Sequence, residues 1–190
     1  MNGVLVIDKP KGLSSFDIVR QVRRWCGTRR VGHAGTLDPL ATGVLPVAVG
    51  KATRLVEYMM AGDKVYQATL KLGACTDTQD AEGQVLETKD WSCVDREALY
   101  LAVPGFVGDI EQVPPMYSAL KKDGQRLYVL ARQGQTVERE PRPIRIDQIQ
   151  LLEAAGTRLV FRVTCSKGTY VRTLVEDIAL RAGTVAHTAR

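Results

Sequence analysis

The sequence GHAGTLDPLATGVLP occupies residues 32–46 and leads directly into an apolar run at residues 44–49. Within it His33, one of only two histidines in the chain, stands five residues before Asp38. Glycine, threonine and proline recur around these side chains, which is typical of a loop, whereas the apolar run predicts a buried strand. Such a loop can present a carboxylate to a ligand while the strand after it anchors the loop in a core.

Length and composition indicate one soluble globular domain. The chain has 190 residues, of which 45% are hydrophobic and 25% charged, as in an ordinary folded domain. Its net charge of +5 favours a polyanionic partner without establishing one. No apolar stretch has the length of a signal peptide or a membrane span, so we expect a cytoplasmic protein. The four cysteines are widely spaced and form no zinc-binding pattern with the two histidines, so we expect no metal.

On the N-terminal side, the sequence predicts a strand at residues 4–7 and then a capped helix. Ser14 stands three residues before Asp17, which is the spacing of a capping box at the start of a helix. Four apolar side chains recur at every third position, and we expect them to form the buried face of the helix. They are Phe16, Val19, Val22 and Trp25.

Basic residues crowd the other face of this helix and the turn after it. The helix carries Arg20, Arg23 and Arg24, and Arg29 and Arg30 follow it. They form either a solvated helix face or a phosphate-facing surface beside the Asp38 loop. The sequence leaves both interpretations open.

The rest of the chain mixes strands and helices. Residues 64–72 alternate between polar and apolar side chains, as a half-buried strand does. Further strands are predicted near residues 144–153 and 159–165, and helices near residues 95–103, 125–133 and 169–181. The polar stretch 76–83 lacks the spacing of a calcium loop and predicts a turn-rich loop. Because strands and helices do not alternate in regular βαβ units, the sequence favours an α+β fold.

Two common kinds of catalytic site are excluded by missing residues. A phosphate-binding loop at Gly50-Lys51 would need glycine in place of Leu45 and serine or threonine in place of Ala52. A serine hydrolase would need a G-x-S-x-G turn, which the sequence lacks. A carboxylate, an arginine and several tyrosines remain, and these suit acid–base or nucleophilic chemistry without a metal or a cofactor.

Each candidate side chain also has a structural explanation. Asp38 precedes a proline and can simply cap a turn, and His33 can serve as a hydrogen-bonding residue of the loop. Tyr66, in the alternating strand, can be a packed aromatic residue whose hydroxyl reaches water. Arg172 stands near the start of a predicted helix, where the helix dipole disfavours a cation. This conflict hints at another role, such as pairing with a carboxylate.

Five separated blocks of the sequence resemble tRNA pseudouridine synthases of the TruB type, in the order that the family has them. The resemblance as a whole covers nearly the entire chain, from about Gly3 to His187. The blocks are DKPKGLSS at 8–15, the loop at 32–46, residues 64–73 with TDTQD at 76–80 and Gly83, PPMYSALK at 114–121 with Gly124, Tyr128, Ala131 and Arg132, and CSKGTYVRTL at 165–174. The end of the Asp38 loop and the PPMYSA block are similar to bacterial, stand-alone members of the family.

The resemblance implies a pseudouridine synthase catalytic domain over residues 1–190, with a mixed, mainly antiparallel sheet flanked by helices and loops. It implies that uridine 55 in the T loop of tRNA is isomerised to pseudouridine without a metal or a cofactor. Asp38 would be the catalytic aspartate, and Arg172 the arginine that pairs with its carboxylate. Tyr66 would stack on the target base, and Tyr170 would line the same pocket.

The resemblance also implies contacts with tRNA. The target uridine lies inside a folded loop and has to be extruded before a side chain can reach it. His33 matches a histidine that enters the vacated space. Four basic residues are further expected to contact RNA: Lys9, Arg29, Arg30 and Lys121. Because cations that neutralise phosphates make binding salt-dependent, tRNA affinity is expected to fall steeply with salt. Members of the family usually act as monomers.

The sequence departs from the family at its C-terminal end. Family members continue past the equivalent of Arg190 with a further core segment, which includes a leucine that seals the active-site pocket, and usually with a small RNA-binding domain. We expect both to be absent from this chain. The second hypothesis for its function is a non-catalytic tRNA-binding or RNA-folding module that uses the same pocket.

Overall fold

The computed structural model describes residues 1–92, 94 and 96–189. The chain divides into two compact units, Met1–Gly62 and Asp63–Arg190, which we call the first and second units. Each has its own sheet and its own apolar core. Among the described residues, no helix combines the length and the apolar character needed to cross a membrane.

The first unit is a small antiparallel sheet covered by one helix. In chain order its elements are β1 (Gly3–Lys9), α1 (Ser15–Cys26), β2 (Val31–His33), β3 (Gly43–Val49), a 3₁₀ helix (Gly50–Leu55) and α2 (Val56–Ala61). β3 lies between β1 and β2, and both pairings are antiparallel. Buried side chains of α1 pack against buried side chains of the strands, among them Leu45, Val47 and Val49. The loop that joins β2 to β3 contacts this core through Leu37.

The start of α1 confirms the predicted capping box. The Ser14 hydroxyl accepts from the backbone N–H of Asp17, while the Asp17 carboxylate accepts from the backbone N–H of Ser14. The helix ends at Gly27, whose φ of 60° gives the left-handed cap that glycine adopts most easily.

The predicted buried face of α1 is partly wrong. Val19 and Val22 are buried, but Phe16 is 52% exposed and Trp25 is 70% exposed. The reason is geometric, because a helix has 3.6 residues per turn and a strict three-residue repeat therefore drifts around its axis. Phe16 and Trp25 are separated by about two and a half turns and so fall on opposite sides. Ile18 takes the place beside the two valines.

The second unit is built on a five-stranded sheet with every pairing antiparallel. Its elements are β4 (Lys64–Leu72), β5 (Ala74–Thr76), β6 (Val85–Thr88), α3 (Arg96–Ala102), a 3₁₀ helix (Val103–Phe106), β7 (Gly108–Gln112), β8 (Lys121–Lys122), β9 (Gln125–Arg126), α4 (Leu127–Arg132), β10 (Arg142–Ala155), β11 (Arg158–Cys165), α5 (Val171–Arg181) and β12 (Ala186–Thr188). The strand order is β12-β4-β11-β10-β7, and β5-β6 and β8-β9 form separate hairpins. This arrangement confirms the predicted α+β class with a mainly antiparallel sheet.

The core of the second unit joins the sheet to α5. Alternate residues of β4 and β11, such as Leu70 and Phe161, pack with the buried side of α5 at Leu174 and Ile178. This packing fixes the start of α5, where Arg172 lies.

Long elements lie close to their predicted positions, and short ones depart from them. The alternating strand at residues 64–72 is confirmed as β4. The helix predicted at residues 125–133 begins only at Leu127, because the two residues before it pair with Lys121–Lys122 around a turn at Asp123 and Gly124. Both turn residues have positive φ, 52° and 81°. Of the helix predicted at residues 95–103, Asp95 lies outside the described residues, and α3 covers Arg96–Ala102.

Candidate functional site

The loop that carries Asp38 joins β2 to β3 in the first unit. Its backbone is tied at both sides, because the Ala34 N–H donates to the Pro46 carbonyl at 2.8 Å and the Ala41 N–H donates to the Asp38 carbonyl at 3.0 Å. The side chains of Ala34 and Leu40 are buried, and Asp38 is half-buried. The carboxylate therefore stands on a loop that is anchored on either side of it.

Ser15, at the start of α1, joins this loop to the helix. Its hydroxyl accepts from the Leu37 N–H at 2.8 Å and donates to the Leu37 carbonyl at 3.0 Å. Ser15 is itself buried. Because one side chain satisfies both backbone groups of the residue before Asp38, the position of that residue is set by the start of the helix.

Lys9 holds the other side of the loop, which is a correction to its expected role as an RNA contact. Its side chain is 0% exposed, and its Nζ donates to the carbonyls of Leu13 at 2.6 Å, Pro10 at 2.9 Å and Pro39 at 3.4 Å. The Pro39 carbonyl also accepts from the Gly12 N–H at 2.8 Å. A buried ammonium needs acceptors, and these carbonyls supply them, so we assign Lys9 to anchoring the loop.

His33 ends β2 and is half-buried. Its Nδ1 lies 2.5 Å from the Gly35 carbonyl oxygen. Because a carbonyl only accepts hydrogen bonds, Nδ1 carries a proton and donates it to Gly35. Gly35 has a φ of 112°, a backbone conformation that residues other than glycine rarely adopt.

The arginines of the first unit lie along α1 and the turn after it. Arg29 and Arg30 are exposed, and the Arg30 Nε donates to the Thr53 hydroxyl at 3.2 Å. Arg20 pairs with Asp17, and the guanidinium of Arg23 lies 5.5 Å from the centre of the Phe16 ring. This exposed basic face is compatible with both interpretations of the sequence, a solvated face and a phosphate-binding surface.

Tyr66 and Tyr170 lie in the second unit. Tyr66 is half-buried on β4 opposite Val163 and packs against the core of the unit. Tyr170 precedes α5, and the Gln112 side chain fixes its backbone. Gln112 Oε1 accepts from the Tyr170 N–H at 2.8 Å, and Gln112 Nε2 donates to the Tyr170 carbonyl at 3.1 Å. Sequence reasoning missed Gln112, since nothing in its local pattern marks a partner 58 residues away.

Arg172 is a buried cation near the start of α5, only 6% exposed. Its Nη1 donates to the Thr78 carbonyl at 2.6 Å and lies 3.8 Å from Oδ2 of Asp80. Its Nη2 donates to the Tyr117 carbonyl at 2.9 Å. The carboxylate and carbonyls compensate the unfavourable place of a cation at a helix start. Within the second unit, Asp80 is thus one carboxylate beside Arg172, and the pairing of Arg172 with Asp38 stays a prediction.

Asp80 is a buried neighbour of Arg172 that was not among the predicted site residues. It is buried, and its Oδ1 accepts from the Thr78 hydroxyl at 2.6 Å and from the Glu82 N–H at 3.0 Å. The available signal was the run TDTQD at residues 76–80, which we interpreted as a polar turn and as part of a resemblance block, with no role given to Asp80. In the structure this run places the Thr78 carbonyl and the Asp80 carboxylate beside the buried guanidinium.

Tyr117, whose carbonyl accepts from Arg172, also contacts the 76–80 run. Its hydroxyl donates to Oδ2 of Asp77 at 3.1 Å. Burial, and then this hydrogen bond to a carboxylate, raise the pKa of Tyr117 above its ordinary value. Lys121 is exposed on β8. In the part of the chain that the structure describes, no group of three or more His, Cys, Asp or Glu side chains could hold a metal ion.

The predicted site residues thus fall into two sets. The first unit holds Lys9, Arg29, Arg30, His33 and Asp38, and the second holds Tyr66, Lys121, Tyr170 and Arg172. Within the first unit, Lys9 and the Asp38 loop are joined directly. Within the second, Tyr170 and Arg172 share the start of α5.

Two curated relatives of this chain carry the same name. The tRNA pseudouridine synthase B of Syntrophotalea carbinolica is 54% identical over 187 residues, which cover 98% of this chain and 61% of the relative. The tRNA pseudouridine synthase B of Stutzerimonas stutzeri is 50% identical over 189 residues, which cover 100% of this chain and 62% of the relative. The chain therefore spans less than two thirds of the length of these relatives.

Solved structures agree with the fold. A Cbf5-Nop10-Gar1 complex contains a chain that matches with a TM-score of 0.74 and 32% identity, over 98% of this chain and 46% of that one. An H/ACA RNP bound to a substrate RNA containing 2′-deoxyuridine matches with a TM-score of 0.70 and 28% identity, over 98% and 45%. The model of the TruB family pseudouridylate synthase (N terminal domain) matches residues 23–171. Since this match covers most of the chain, the chain belongs to the TruB family of pseudouridylate synthases, within the family's N-terminal domain.

Proposed function

We propose that this chain isomerises uridine 55 in the T loop of tRNA to pseudouridine, with Asp38 as the catalytic aspartate. The observation that carries the proposal is the anchoring of the Asp38 loop by Ser15 and Lys9 in a member of the TruB family. A half-buried carboxylate held on a fixed loop is preorganised for attack or for charge stabilisation. The names of the curated relatives support tRNA as the substrate.

The reaction needs no change in the composition of the nucleoside. The bond from ribose C1′ to uracil N1 breaks, the uracil turns, C1′ bonds to C5, C5 loses its proton, and N1 takes up a proton in its place. Asp38 engages either the ribose or the base during this exchange. Arg172 holds the carboxylate charged and aimed, Tyr66 stacks on the extruded uracil, and Tyr170 lines the pocket. We assign residues 1–190 to one catalytic domain, and none of these steps uses a metal or a cofactor.

Extrusion of the uridine and binding of the T arm are assigned to the remaining residues. His33 fills the space that the base leaves, and the exposed Arg29, Arg30 and Lys121 contact phosphates. A cytoplasmic monomer meets the needs of this reaction, since tRNA is the only partner required.

The experiment is the release of tritium from a tRNA transcript labelled at C5 of uridine. We expect release by the wild-type chain and by Asp109→Asn, an exposed aspartate of the second unit. Asp38→Asn is expected to slow release by about a thousandfold or more, because a group that acts directly on the reacting atoms is lost. tRNA binding by Asp38→Asn should remain near that of the wild type. Full turnover by Asp38→Asn would remove Asp38 from the mechanism.

The same experiment separates the second hypothesis, a tRNA-binding or RNA-folding module without catalysis. Such a module would bind tRNA and promote its refolding with no tritium release from any variant. Asp38→Asn would then leave refolding unchanged.

A further inference from the structure

The loop that holds Arg172 contains an unusual backbone conformation at Gln79. Its φ is 62°, and among the described residues only Asp123 shares a positive φ without being glycine. This left-handed conformation is unfavourable for a residue with a side chain and persists only where surrounding contacts hold it. Gln79 stands between Thr78 and Asp80, the two residues that face one nitrogen of Arg172, Nη1, at 2.6 Å and 3.8 Å.

Both ends of the Gln79 side chain are held by α5, the helix that carries Arg172. Its Oε1 accepts from the Thr173 hydroxyl at 2.9 Å, and its Nε2 donates to the Glu176 carboxylate. Thr173 is buried and Glu176 is half-buried. The backbone is held as well, because the Gln79 N–H donates to the Thr76 carbonyl and its carbonyl accepts from the Thr188 N–H at 3.0 Å.

We propose that Gln79 is a positioning residue for Arg172: its amide, held between Thr173 and Glu176, keeps the left-handed turn that aims the Thr78 carbonyl and the Asp80 carboxylate at the guanidinium. α5 thus supplies both the cation, Arg172, and the side chains of Thr173 and Glu176, which hold Gln79 in place. The role in catalysis rests on the proposed function, in which Arg172 assists Asp38. Gln79 itself touches no reacting atom.

The chemistry of the Gln79–Glu176 pair offers a sharp test. The Gln79 amide supplies both an acceptor for the Thr173 hydroxyl and a donor for the Glu176 carboxylate. Gln79→Glu sets two carboxylates side by side, and like charges at this distance cannot both stay ionised in place. The pair must separate or take up a proton, and separation releases the turn. Gln79→Glu combined with Glu176→Gln restores one amide beside one carboxylate, with the donor and acceptor exchanged.

The experiment compares the wild type, Gln79→Glu, the exchanged double variant, Gln79→Gly and the control Gln150→Glu. Gln150 is an exposed glutamine on β10 and undergoes the same chemical change. Two properties are measured on each folded protein at neutral pH: rotation of the Arg172 guanidinium by side-chain ¹⁵N NMR, and the single-turnover rate of tritium release from tRNA labelled at C5 of uridine. Melting temperature and tRNA affinity are recorded beside them.

We expect Gln79→Glu to free the guanidinium and to slow the single turnover by about tenfold or more, as displaced catalytic groups do. tRNA affinity should stay unchanged. A merely structural defect would instead lower the folded fraction and leave the rate constant of the folded protein unchanged. Gln79→Gly keeps the backbone turn accessible but loses the amide, so its guanidinium should also be freer. The exchanged variant should recover both properties, and Gln150→Glu should match the wild type.

The proposal is overturned if folded Gln79→Glu or Gln79→Gly keeps the wild-type guanidinium signal. It is equally overturned if the exchanged variant folds but leaves the guanidinium as mobile as in Gln79→Glu. Should Gln79→Glu not fold, Gln79→Gly and the exchanged variant decide the matter. Absence of tritium release by the wild type would refute the proposed function alone, because the guanidinium measurement decides the role of Gln79 without turnover.

Discussion

Replacing Lys9 by methionine tests whether this lysine anchors the Asp38 loop. The substitution keeps a flexible chain of similar length and removes only the buried ammonium. The carbonyls of Leu13 and Pro10 then lose the lysine as a donor, while the Pro39 carbonyl keeps its hydrogen bond from the Gly12 N–H. The loss therefore falls mainly on two carbonyls.

The magnitude follows from these two groups. Pro10 is exposed, so water can replace the lysine at its carbonyl, whereas Leu13 is half-buried. A buried carbonyl left without a donor costs about 1–3 kcal/mol, and this cost falls mainly on Leu13. Removing an ion from a buried site returns part of it, since burial of a charge is itself unfavourable. We expect Lys9→Met to lower the free energy of unfolding by about 1–2 kcal/mol.

The assay is urea denaturation followed by far-ultraviolet circular dichroism. Lys51→Met is the matched control, because Lys51 is an exposed lysine of the same unit. A direct phosphate contact by Lys9 makes the opposite prediction: stability unchanged and the salt dependence of tRNA binding reduced by about one unit of slope. If Lys9→Met unfolds at the same urea concentration as Lys51→Met, the anchoring role is refuted.

Three further predictions follow from single side chains. The hydrogen bonds of the capping box lower the pKa of Asp17 to about 2. The carboxylate therefore stabilises the fold above its ordinary pKa, and this contribution disappears between about pH 4 and 2. Across this range the melting temperature should fall less for Asp17→Asn than for the wild type. Burial raises the pKa of Tyr117, so in an ultraviolet titration one tyrosine should ionise above the ordinary range. This ionisation step should be absent from Tyr117→Phe, and its absence from the wild type would contradict the prediction. Gly83→Ala should destabilise the chain by about 1–3 kcal/mol, because its Cβ would clash with the Thr78 hydroxyl and lie 2.9 Å from the Thr78 nitrogen, whereas Gly62→Ala, which meets nothing within 4 Å, should melt like the wild type.

Local patterns predicted the elements whose stability is local. The capping box at Ser14 and Asp17 and the alternation of β4 were visible in the sequence and are present in the structure. The short strands β2 (Val31–His33) and β12 (Ala186–Thr188) were not predicted. Three residues are too few to show a period, and these strands exist because a longer strand offers them an edge to pair with.

In the candidate site, too, local patterns were visible in the sequence and contacts between distant residues were not. Asp38 and Arg172 were named from motifs, but the carbonyls of Thr78 and Tyr117 that accept from Arg172 were not. The Thr78 carbonyl is 94 residues away from Arg172 in sequence, and no local signal connects positions so far apart. Lys9 was named and given the wrong surroundings, because a lysine beside prolines and glycines looks exposed until the loop that covers it is placed.

We propose that this chain converts one uridine of the T loop by means of Asp38. To test this, an unmodified tRNA transcript is treated with the chain, pseudouridine is modified with carbodiimide, and the modified positions are mapped by primer extension. We expect one stop, which maps to uridine 55, after treatment with the wild type and none after treatment with Asp38→Asn. A stop that maps to another position, or the same stop with Asp38→Asn, would show that the proposed function is wrong.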